Sequence, residues 1–256
     1  MSPNNNQAKT WVILGGTSAV AAAYARLAAV DGHNIVLVGR NKKALQENVA
    51  DIAARTAGTV TSYVCDLGDT AKVETHWAAI KKASGQIDGV LLAYGVLGNQ
   101  DQSQSDVAML AKNLQVNFVS SAMWAELAFD TFAFQGHGQL SLIGSVAGDR
   151  GRMSNYHYGS AKGALETLGA GMAHRAAQTV GADIRVLVVK PGFIDSPMTD
   201  HIDKSGPLWA SPEKIAAIIK RAEAKGRTKI YAPWFWRFIL LLIRMTPNFV
   251  FHKTKL

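Results

Sequence analysis

The chain has 256 residues, 48% of them hydrophobic, which is enough to bury one substantial core. Its formal net charge of +8 accompanies no recognised nucleic-acid motif, so we expect no nucleic-acid partner. The single cysteine, Cys65, excludes an internal disulfide, no signal peptide precedes Trp11, and we expect a cytoplasmic location and no metal site.

Apolar runs alternate with helical stretches along the whole chain. This alternation predicts an α/β fold, with a doubly wound parallel sheet of seven strands and helices on both faces. We expect a disordered lead over residues 1–9, one domain over 10–232 and a separate tail over 233–256. The strands are predicted at residues 10–14, 34–38, 59–64, 87–92, 138–143, 183–189 and 228–231.

The first strand leads into Leu14-Gly-Gly-Thr-Ser and then an alanine-rich helix. A turn of bare backbone lets a pyrophosphate approach the helix N-terminus, where free N–H groups and the helix dipole favour anions. The second strand, over residues 34–38, follows at the spacing of a βαβ nucleotide-binding unit. We therefore expect a dinucleotide cofactor at this turn.

The residues after the second strand bear on which dinucleotide binds. An acidic side chain there would accept from both ribose hydroxyls and repel a 2′-phosphate. Gly39 holds that position and Arg40 follows it. Because a guanidinium pairs bidentately with phosphate, NADPH is favoured over NADH. The alternative is that Arg40 stacks on the adenine, which leaves NADH usable; Asp66, with Leu67, is the expected contact of the adenine ring.

A proton-transfer site is predicted farther along the chain. Tyr158 and Lys162 lie four residues apart and share one helix face, so an ammonium can favour the phenolate and lower the pKa of the tyrosine. Ser145 ends the apolar strand that precedes them, where its hydroxyl can donate to a substrate carbonyl. Asn117 lies on the helix before the serine strand.

The order of glycine turn, Asp66, Asn117, Ser145, Tyr158-x-x-x-Lys162 and Pro191-Gly192 resembles the short-chain dehydrogenase/reductase family over nearly the whole chain. That resemblance implies a Rossmann-type fold and a catalytic tetrad of Asn117, Ser145, Tyr158 and Lys162. It further implies that Tyr158 exchanges a proton with the substrate oxygen, which Ser145 polarises. Lys162 would hold the nicotinamide ribose and Asn117 would anchor a water. The cofactor site implied by the resemblance comprises Gly15, Thr17, Ser18, Ala19, Val20, Arg40, Asp66, Leu67, Ala93, Gly95, Lys162, Pro191, Gly192, Ile194 and Ser196.

Several positions depart from the family pattern. The two later glycines of the turn are Ala19 and Ala21, and alanine restricts φ where glycine does not. Ala93 replaces a family asparagine, and Ser196 replaces a family threonine while keeping its hydroxyl. None of these departures removes a catalytic group, so they indicate a subfamily.

The C-terminal segment is unusually apolar. Pro233-Trp-Phe-Trp-Arg237 opens a run that continues to Arg244 and Pro247, and its apolar core is too short to cross a bilayer. Arg237 and Arg244 lie two turns apart, so we expect an amphipathic helix with its arginines opposite an apolar surface. Such a helix suits peripheral contact with the inner face of the cell membrane. An oligomer contact or a lid over the substrate pocket are the alternatives.

The segments Ser145-Val-Ala-Gly-Asp-Arg-Gly-Arg152, Asn155-Tyr-His-Tyr-Gly-Ser-Ala-Lys162 and Tyr231-Ala-Pro-Trp resemble the subgroup of reductases that act on decaprenylphosphoryl 2-keto-pentoses. This resemblance implies NAD(P)H-dependent reduction of the 2-keto group of a polyprenyl-phosphate sugar, after a flavin-dependent oxidase has made the ketone. Arg150 or Arg152 is expected to pair with the linking phosphate, or else with Asp149 or a neighbouring helix. Asn155 is expected to line the same pocket.

Two other functions stay open from the sequence. One is a membrane-associated reductase of another hydrophobic ketone, and the other is a non-catalytic NADP-binding partner protein. The family resemblance also implies a homodimer or homotetramer, formed by helices near residues 105–130 and 153–179.

Overall fold

A parallel sheet runs through the centre of the molecule. The computed structural model describes residues 8–200, 203–204 and 206–254, and residues 1–7 of the expected lead lie outside this description. Within the described residues β7 and β8 pair only with each other, and the other seven strands form one sheet. The strands are β1 (Thr10–Leu14), β2 (Asn34–Gly39), β3 (Val60–Val64), β4 (Gly89–Leu92), β5 (His137–Ile143), β6 (Asp183–Pro191), β7 (Phe193–Ile194), β8 (Trp209–Ala210) and β9 (Lys229–Ala232).

Helices cover both faces of this sheet, and short turns connect them to the strands. A π-helical turn, Gln115–Val119, joins two of the helices, and the 3₁₀ turn Val146–Gly148 follows β5. The helices are α1 (Ala19–Val30), α2 (Lys42–Ala53), α3 (Val73–Ser84), α4 (Gln100–Ser105), α5 (Val107–Leu114), α6 (Ser120–Gln135), α7 (Tyr156–Gln178), α8 (Pro212–Ala224), α9 (Trp236–Met245) and α10 (Asn248–Phe251).

Strand alternation divides the core into two layers. In β1, Val12 and Leu14 point into the layer that contains the aromatic side chains of α3 and α6. Trp11 and Ile13 point into the opposite layer, with the alanines of α1 and the isoleucines of α8. Because both faces are covered, all five residues of β1 are buried, as expected for a central strand of a parallel sheet.

The strand order is β3-β2-β1-β4-β5-β6-β9, with every neighbouring pair parallel. The direction of winding reverses between β1 and β4, which are hydrogen-bonded neighbours. Ligands of open α/β sheets bind beyond the carboxyl ends of the strands at such a switch point. We therefore expect a ligand site next to the residues that follow Leu14 and Leu92.

The predicted fold class is confirmed, and all seven predicted strands are present with ends shifted by at most two residues. Strand β6 continues through Pro191, two residues beyond the predicted end, because it pairs with β9 as far as Ala232. Lys9 falls in the expected lead, yet its carbonyl accepts a hydrogen bond of 2.8 Å from the N–H of Asn34.

The tail packs against the body of the protein through one side of α9. Trp236 and Leu240 are buried in a small cluster with Val146 of the turn after β5. A side chain at Gly192 would collide with the Trp236 indole, since a Cβ there would lie 1.9 Å from its Nε1. The tail thus lies directly against both loops that follow β5 and β6. Apolar residues also occupy the outer side of α9, so the helix is apolar on two sides rather than one.

A buried carboxyl joins the sheet to two helices. Glu223 of α8 accepts hydrogen bonds from Tyr24 of α1 at 2.8 Å and from Ser141 of β5 at 2.7 Å. Burial raises the pKa of Glu223 to about 6, because desolvation penalises its charged form more than the two hydroxyls stabilise it. Because its pKa is raised, Glu223 binds its proton more tightly in the folded protein than in the unfolded chain. This contribution to the free energy of unfolding is fully present below the ordinary pKa of 4.5 and is lost as pH rises through about 6.

Glu223→Gln mimics the protonated form. We predict that the free energy of unfolding of this variant, relative to that of the native chain, increases as pH rises from about 5 to about 7. The difference should approach about 2 kcal/mol, or about 5 °C in Tm. Thermal melts at several pH values measure it. Glu213→Gln, an exposed change on the same helix, should show no such trend, and an equal trend in both variants would contradict the assignment to Glu223.

Candidate active site

A cavity of about 850 Å³ opens at the carboxyl ends of the strands, beside the switch point. It is bordered by the loops that follow β1, β2, β3, β4, β5 and β6 and by helix α5. All the residues expected to bind the cofactor line it: Gly15, Thr17, Ser18, Ala19, Val20, Arg40, Asp66, Leu67, Ala93, Gly95, Lys162, Pro191, Gly192, Ile194 and Ser196. Chain segments far apart in sequence thus converge on one space large enough for a dinucleotide and a substrate.

The turn after β1 shows why only part of the glycine pattern is needed. Gly15 has φ +93°, and a Cβ there would lie 2.7 Å from the Cβ of Tyr94. Ala19 and Ala21 instead lie within α1, where φ is negative and alanine is the preferred residue. Ser18 caps the helix by accepting a hydrogen bond of 3.2 Å from the N–H of Ala21. The bare turn and helix N-terminus fit a pyrophosphate, and the two alanines do not oppose it.

The next two loops form the opposite end of the cavity. Arg40 follows β2 and borders the cavity with an exposed side chain. Asp66 turns its carboxylate back to accept from the N–H of Gly68 at 2.9 Å, and the carbonyl of Leu67 accepts from the buried Trp124 indole N–H at 3.1 Å. This end therefore has a cation on one wall and a loop fixed by its own hydrogen bonds on the other.

Ser145, Tyr158 and Lys162 meet at the centre of the cavity. Ser145 lies two residues beyond β5 and has an extended backbone conformation. Its Oγ accepts from the N–H of Ala147 at 3.0 Å. That bond leaves the hydroxyl hydrogen of Ser145 able to donate toward Tyr158 or a substrate. Lys162 donates to the carbonyl of Ile143 at 2.8 Å, and its Nζ lies 5.7 Å from the centre of the Tyr158 ring.

Burial controls the protonation of this group. It raises the pKa of Tyr158 to about 12, with a hydrogen bond from Ser145 as a smaller opposing effect. It also lowers the pKa of Lys162 to about 8, since desolvation penalises the ammonium. The expected lowering of the Tyr158 pKa by Lys162 is therefore absent from this structure. Desolvation outweighs the effect of a lysine whose own charge is destabilised, and the phenol keeps its proton at neutral pH.

Asn117 lies behind the cavity wall and does not line it. Its amide is buried in the π-helical turn and binds both backbone groups of Val96, accepting from the N–H at 3.0 Å and donating to the carbonyl at 2.8 Å. A Cβ on Gly95 would lie 2.6 Å from the Asn117 Oδ1 and 3.5 Å from the Lys162 Nζ. Asn117 thus holds the loop after β4 against the lysine. A π-bulge in a helix is frequent at functional sites.

A buried ion cluster beneath the cavity did not emerge from the sequence. Lys190, 2% exposed, forms ion pairs with Asp149 and with Glu166, one turn of α7 beyond Lys162. Tyr231 of β9 donates to the other oxygen of Asp149 at 2.8 Å. The sequence signal was a lysine directly before Pro191-Gly192, inside an apolar strand where an unpaired cation would be costly.

The three residues expected to bind substrate occupy different places. Arg150 points away from the cavity and donates to the carbonyls of Ile243 and Thr246, the latter at 2.6 Å. Its predicted pairing with a substrate phosphate is wrong, because the guanidinium is engaged by the tail. The alternative is an ion pair with Asp149 or with a neighbouring helix. Lys190 is the ion-pair partner of Asp149, whereas Arg150 does contact a neighbouring helix, α9, through the carbonyl of Ile243.

Arg152 and Asn155 do line the cavity. The Nε of Arg152 and the Oδ1 of Asn155 are both buried, and neither has a hydrogen-bond partner among the described residues. Burial lowers the pKa of Arg152, with Asp149 opposing the effect. Unsatisfied buried polar atoms are costly and are rare outside functional sites. These two are consequently the polar groups most available to a ligand.

Sequence reasoning missed three polar residues that border the cavity: one on α5, one in the π-helical turn and one in the loop after β6. Lys112 and Gln115 border the cavity from one side, and Thr199 borders it from the other. Thr199 accepts from the N–H of Ser196 at 3.3 Å and donates to the carbonyl of Ile194 at 2.6 Å. The only signal was the hydroxyl of Thr199 three residues beyond Ser196, a spacing typical of a capping turn.

The strand order, the bare turn after β1 and the cavity at the switch point define a dinucleotide-binding protein of the α/β class, and known proteins agree. A family model described as short chain dehydrogenase matches residues 9–206. An uncharacterized oxidoreductase of Mycobacterium tuberculosis is 31% identical, over 94% of this chain and 95% of that relative. Another, from Streptomyces coelicolor, is 29% identical over 96% and 95%.

Among solved structures, a short-chain dehydrogenase from Sphingobium yanoikuyae in complex with NADPH has a TM-score of 0.81 at 20% identity, over 94% of this chain and 97% of that one. The chain belongs to the short-chain dehydrogenase/reductase family. It is an NAD(P)-dependent oxidoreductase.

Two features are absent from the described ranges. No helix there is long and apolar enough to cross a membrane. No group of three or more His, Cys, Asp or Glu side chains in that part of the chain is placed to hold a metal ion.

Proposed function

We propose that this enzyme reduces a keto group, and specifically the 2-keto group of a polyprenyl-phosphate-linked pentose, with NADPH as its favoured cofactor. One observation carries the proposal: a proton donor, a free hydroxyl and an unpaired guanidinium line the same cavity. Tyr158 and Ser145 suit a ketone oxygen, and Arg152 suits an anionic group on the same molecule. Asn155 offers a further polar contact for the sugar.

The chain's own groups divide the chemistry between them. NADPH, when bound, supplies the hydride that reduces the carbonyl carbon. Ser145 donates to the carbonyl oxygen and stabilises the negative charge that develops there. Tyr158 holds its proton at neutral pH and transfers it to that oxygen, since an alkoxide is a stronger base than a phenolate. Lys162 holds the ribose hydroxyls and Asn117 keeps the neighbouring loop in place.

The cofactor preference rests on Arg40. Its side chain borders the end of the cavity that follows β2, where an acidic residue would favour NADH. A relative by fold, the Sphingobium yanoikuyae dehydrogenase, is described in complex with NADPH. Both points support an NADPH enzyme.

We predict that Arg40→Ala weakens NADPH binding by about 10- to 100-fold, the loss of one charge-assisted phosphate contact. NADH binding should change little, and fluorescence titration measures both dissociation constants. Lys42→Ala removes a nearby exposed charge outside the cavity and is the matched control. Equal weakening of both cofactors by Arg40→Ala would indicate that the arginine stacks on adenine instead.

Two features support a lipid-linked substrate: Arg152 in the cavity and the apolar, basic surface of the tail. Trp234, Phe238 and Leu242 are 71%, 58% and 66% exposed on the outer side of the tail. Arg237 and Arg244 are exposed beside them. Apolar and basic groups together favour the surface of an anionic membrane, where a polyprenyl phosphate would be embedded. We place the enzyme at the inner face of the cell membrane on this ground.

The proposed reaction also implies partners. A keto-pentose must be supplied by oxidation of a sugar alcohol, so a flavin-dependent oxidase is the expected preceding enzyme. Assembly into a homodimer or homotetramer through α6 and α7 is the family expectation. In one chain those helices are joined by ion pairs from Arg175 to Glu126 and Asp130.

We predict that Tyr158→Phe lowers the rate of NADPH oxidation with a polyprenylphosphoryl 2-keto-pentose by about 10²- to 10⁴-fold, the usual contribution of a general acid. Tyr63→Phe, which removes a phenol on β3 outside the cavity, is the control. Native enzyme that binds NADPH but does not turn over this ketone would disprove the sugar substrate. In that case apolar ketones are the next substrates to test.

A further inference from the structure

We propose that a second cavity, between the loop after Ser145 and the C-terminal tail, binds the apolar chain of an anionic amphiphile whose phosphate contacts Arg152. This inference rests on the proposed function, because it assigns the lipid part of that substrate a place. It adds a binding site that the catalytic cavity alone does not contain.

The second cavity has a volume of about 420 Å³ and adjoins the first. Arg152 lines both cavities, so its guanidinium stands at their junction. A molecule with its ketone at Tyr158 and its phosphate at Arg152 would direct the rest of its length into the second cavity. The sugar would therefore lie in the first cavity, the phosphate at the junction and the apolar chain in the second cavity.

The walls of the second cavity are apolar where a chain would lie. Met153 and Tyr156 form one wall and are 71% and 39% exposed, and Phe251 of α10 forms the other. The remaining lining groups are Gly151, His252 and Thr254, so none of the described residues that line the cavity is acidic. An exposed methionine and two aromatic rings beside a desolvated arginine suit a ligand that is apolar and negatively charged.

Arg150 holds the far wall in place. Besides its bonds to the tail carbonyls, it donates to the Asn248 Oδ1 at 2.9 Å, and its guanidinium lies 3.8 Å from the centre of the Phe251 ring. A cation on an aromatic face and a capped helix end each add stability. Arg150 is therefore a positioning residue: it holds Phe251, which forms the far wall of the second cavity.

The site has a defined ligand chemistry. The unpaired Nε–H of Arg152 is a charged donor, and a phosphate supplies negatively charged acceptor oxygens for it. The adjoining apolar walls require methylene or isoprenyl groups, each of which contributes about 0.8 kcal/mol when buried. An alkyl or prenyl phosphate satisfies both demands, whereas inorganic phosphate satisfies only the first.

The test is a binding measurement that does not depend on turnover. Isothermal titration of the NADPH-loaded enzyme with decyl phosphate, below its micelle concentration, is compared with titration with inorganic phosphate. We expect decyl phosphate to bind at least about 10-fold more tightly, since two buried methylene groups already supply that difference. Met153→Asp should remove most of this advantage, whereas Val180→Asp, at a position that is 98% exposed elsewhere, should not.

Arg152→Gln should weaken both ligands by about 10-fold, the value of one charge-assisted contact, and Arg152→Lys should restore part of the loss. Circular dichroism and Tm confirm that each variant is folded. Equal affinity of the native enzyme for the two phosphates, or no effect of Met153→Asp, would overturn the proposal. Retained decyl phosphate binding without reduction of a keto-pentose would instead overturn the proposed substrate and leave the chain-binding site standing.

Discussion

The loop from Ser145 to Arg152 depends on the buried ion cluster around Lys190. A lysine on an interior strand is tolerated because Asp149 and Glu166 compensate its charge, and replacing Lys190 by a neutral residue would leave the buried Asp149 carboxylate without its cation. Asp149 lies between Ser145, which we propose contacts the substrate oxygen, and Arg152, which we propose contacts the anion. Arg150, next to it, binds the tail in the opposite direction. The geometry of catalysis, of the anion contact and of the tail is thus set by one loop anchored at its centre.

Burial of that loop has a chemical consequence. Lys162 is buried and Tyr158 is half-buried, so each group favours its neutral form: the tyrosine keeps its proton and the lysine loses its proton more readily. A neutral phenol beside a free hydroxyl is suited to donating a proton to a ketone. The same desolvation strengthens any charged contact that Arg152 makes, because an ion pair is screened less away from solvent. The neutral state of Tyr158 and the strength of a charged contact at Arg152 therefore both result from the exclusion of water.

The fold and the cofactor side of the cavity could be predicted because their signals are local. Continuous apolar runs define the buried strands, and a glycine with positive φ at Gly15 follows directly from a tight turn against Tyr94. What escaped prediction depends on distant contacts. Nothing near Arg150 in the sequence indicates that the carbonyls of Ile243 and Thr246 will reach it, and nothing near Lys190 indicates its carboxylate partners. The Tyr158 pKa was predicted in the wrong direction for the same reason, since helix spacing gives the neighbour but not the burial.

Burial keeps Tyr158 protonated, which suits it to be the proton donor of the proposed reaction. Ultraviolet difference titration of the native enzyme against Tyr158→Phe measures the ionisation of that phenol directly. The account predicts no phenolate signal from Tyr158 below about pH 10, because its pKa is raised to about 12 by burial. A phenolate that appears near neutral pH would contradict the account and would show that Lys162 controls the tyrosine after all.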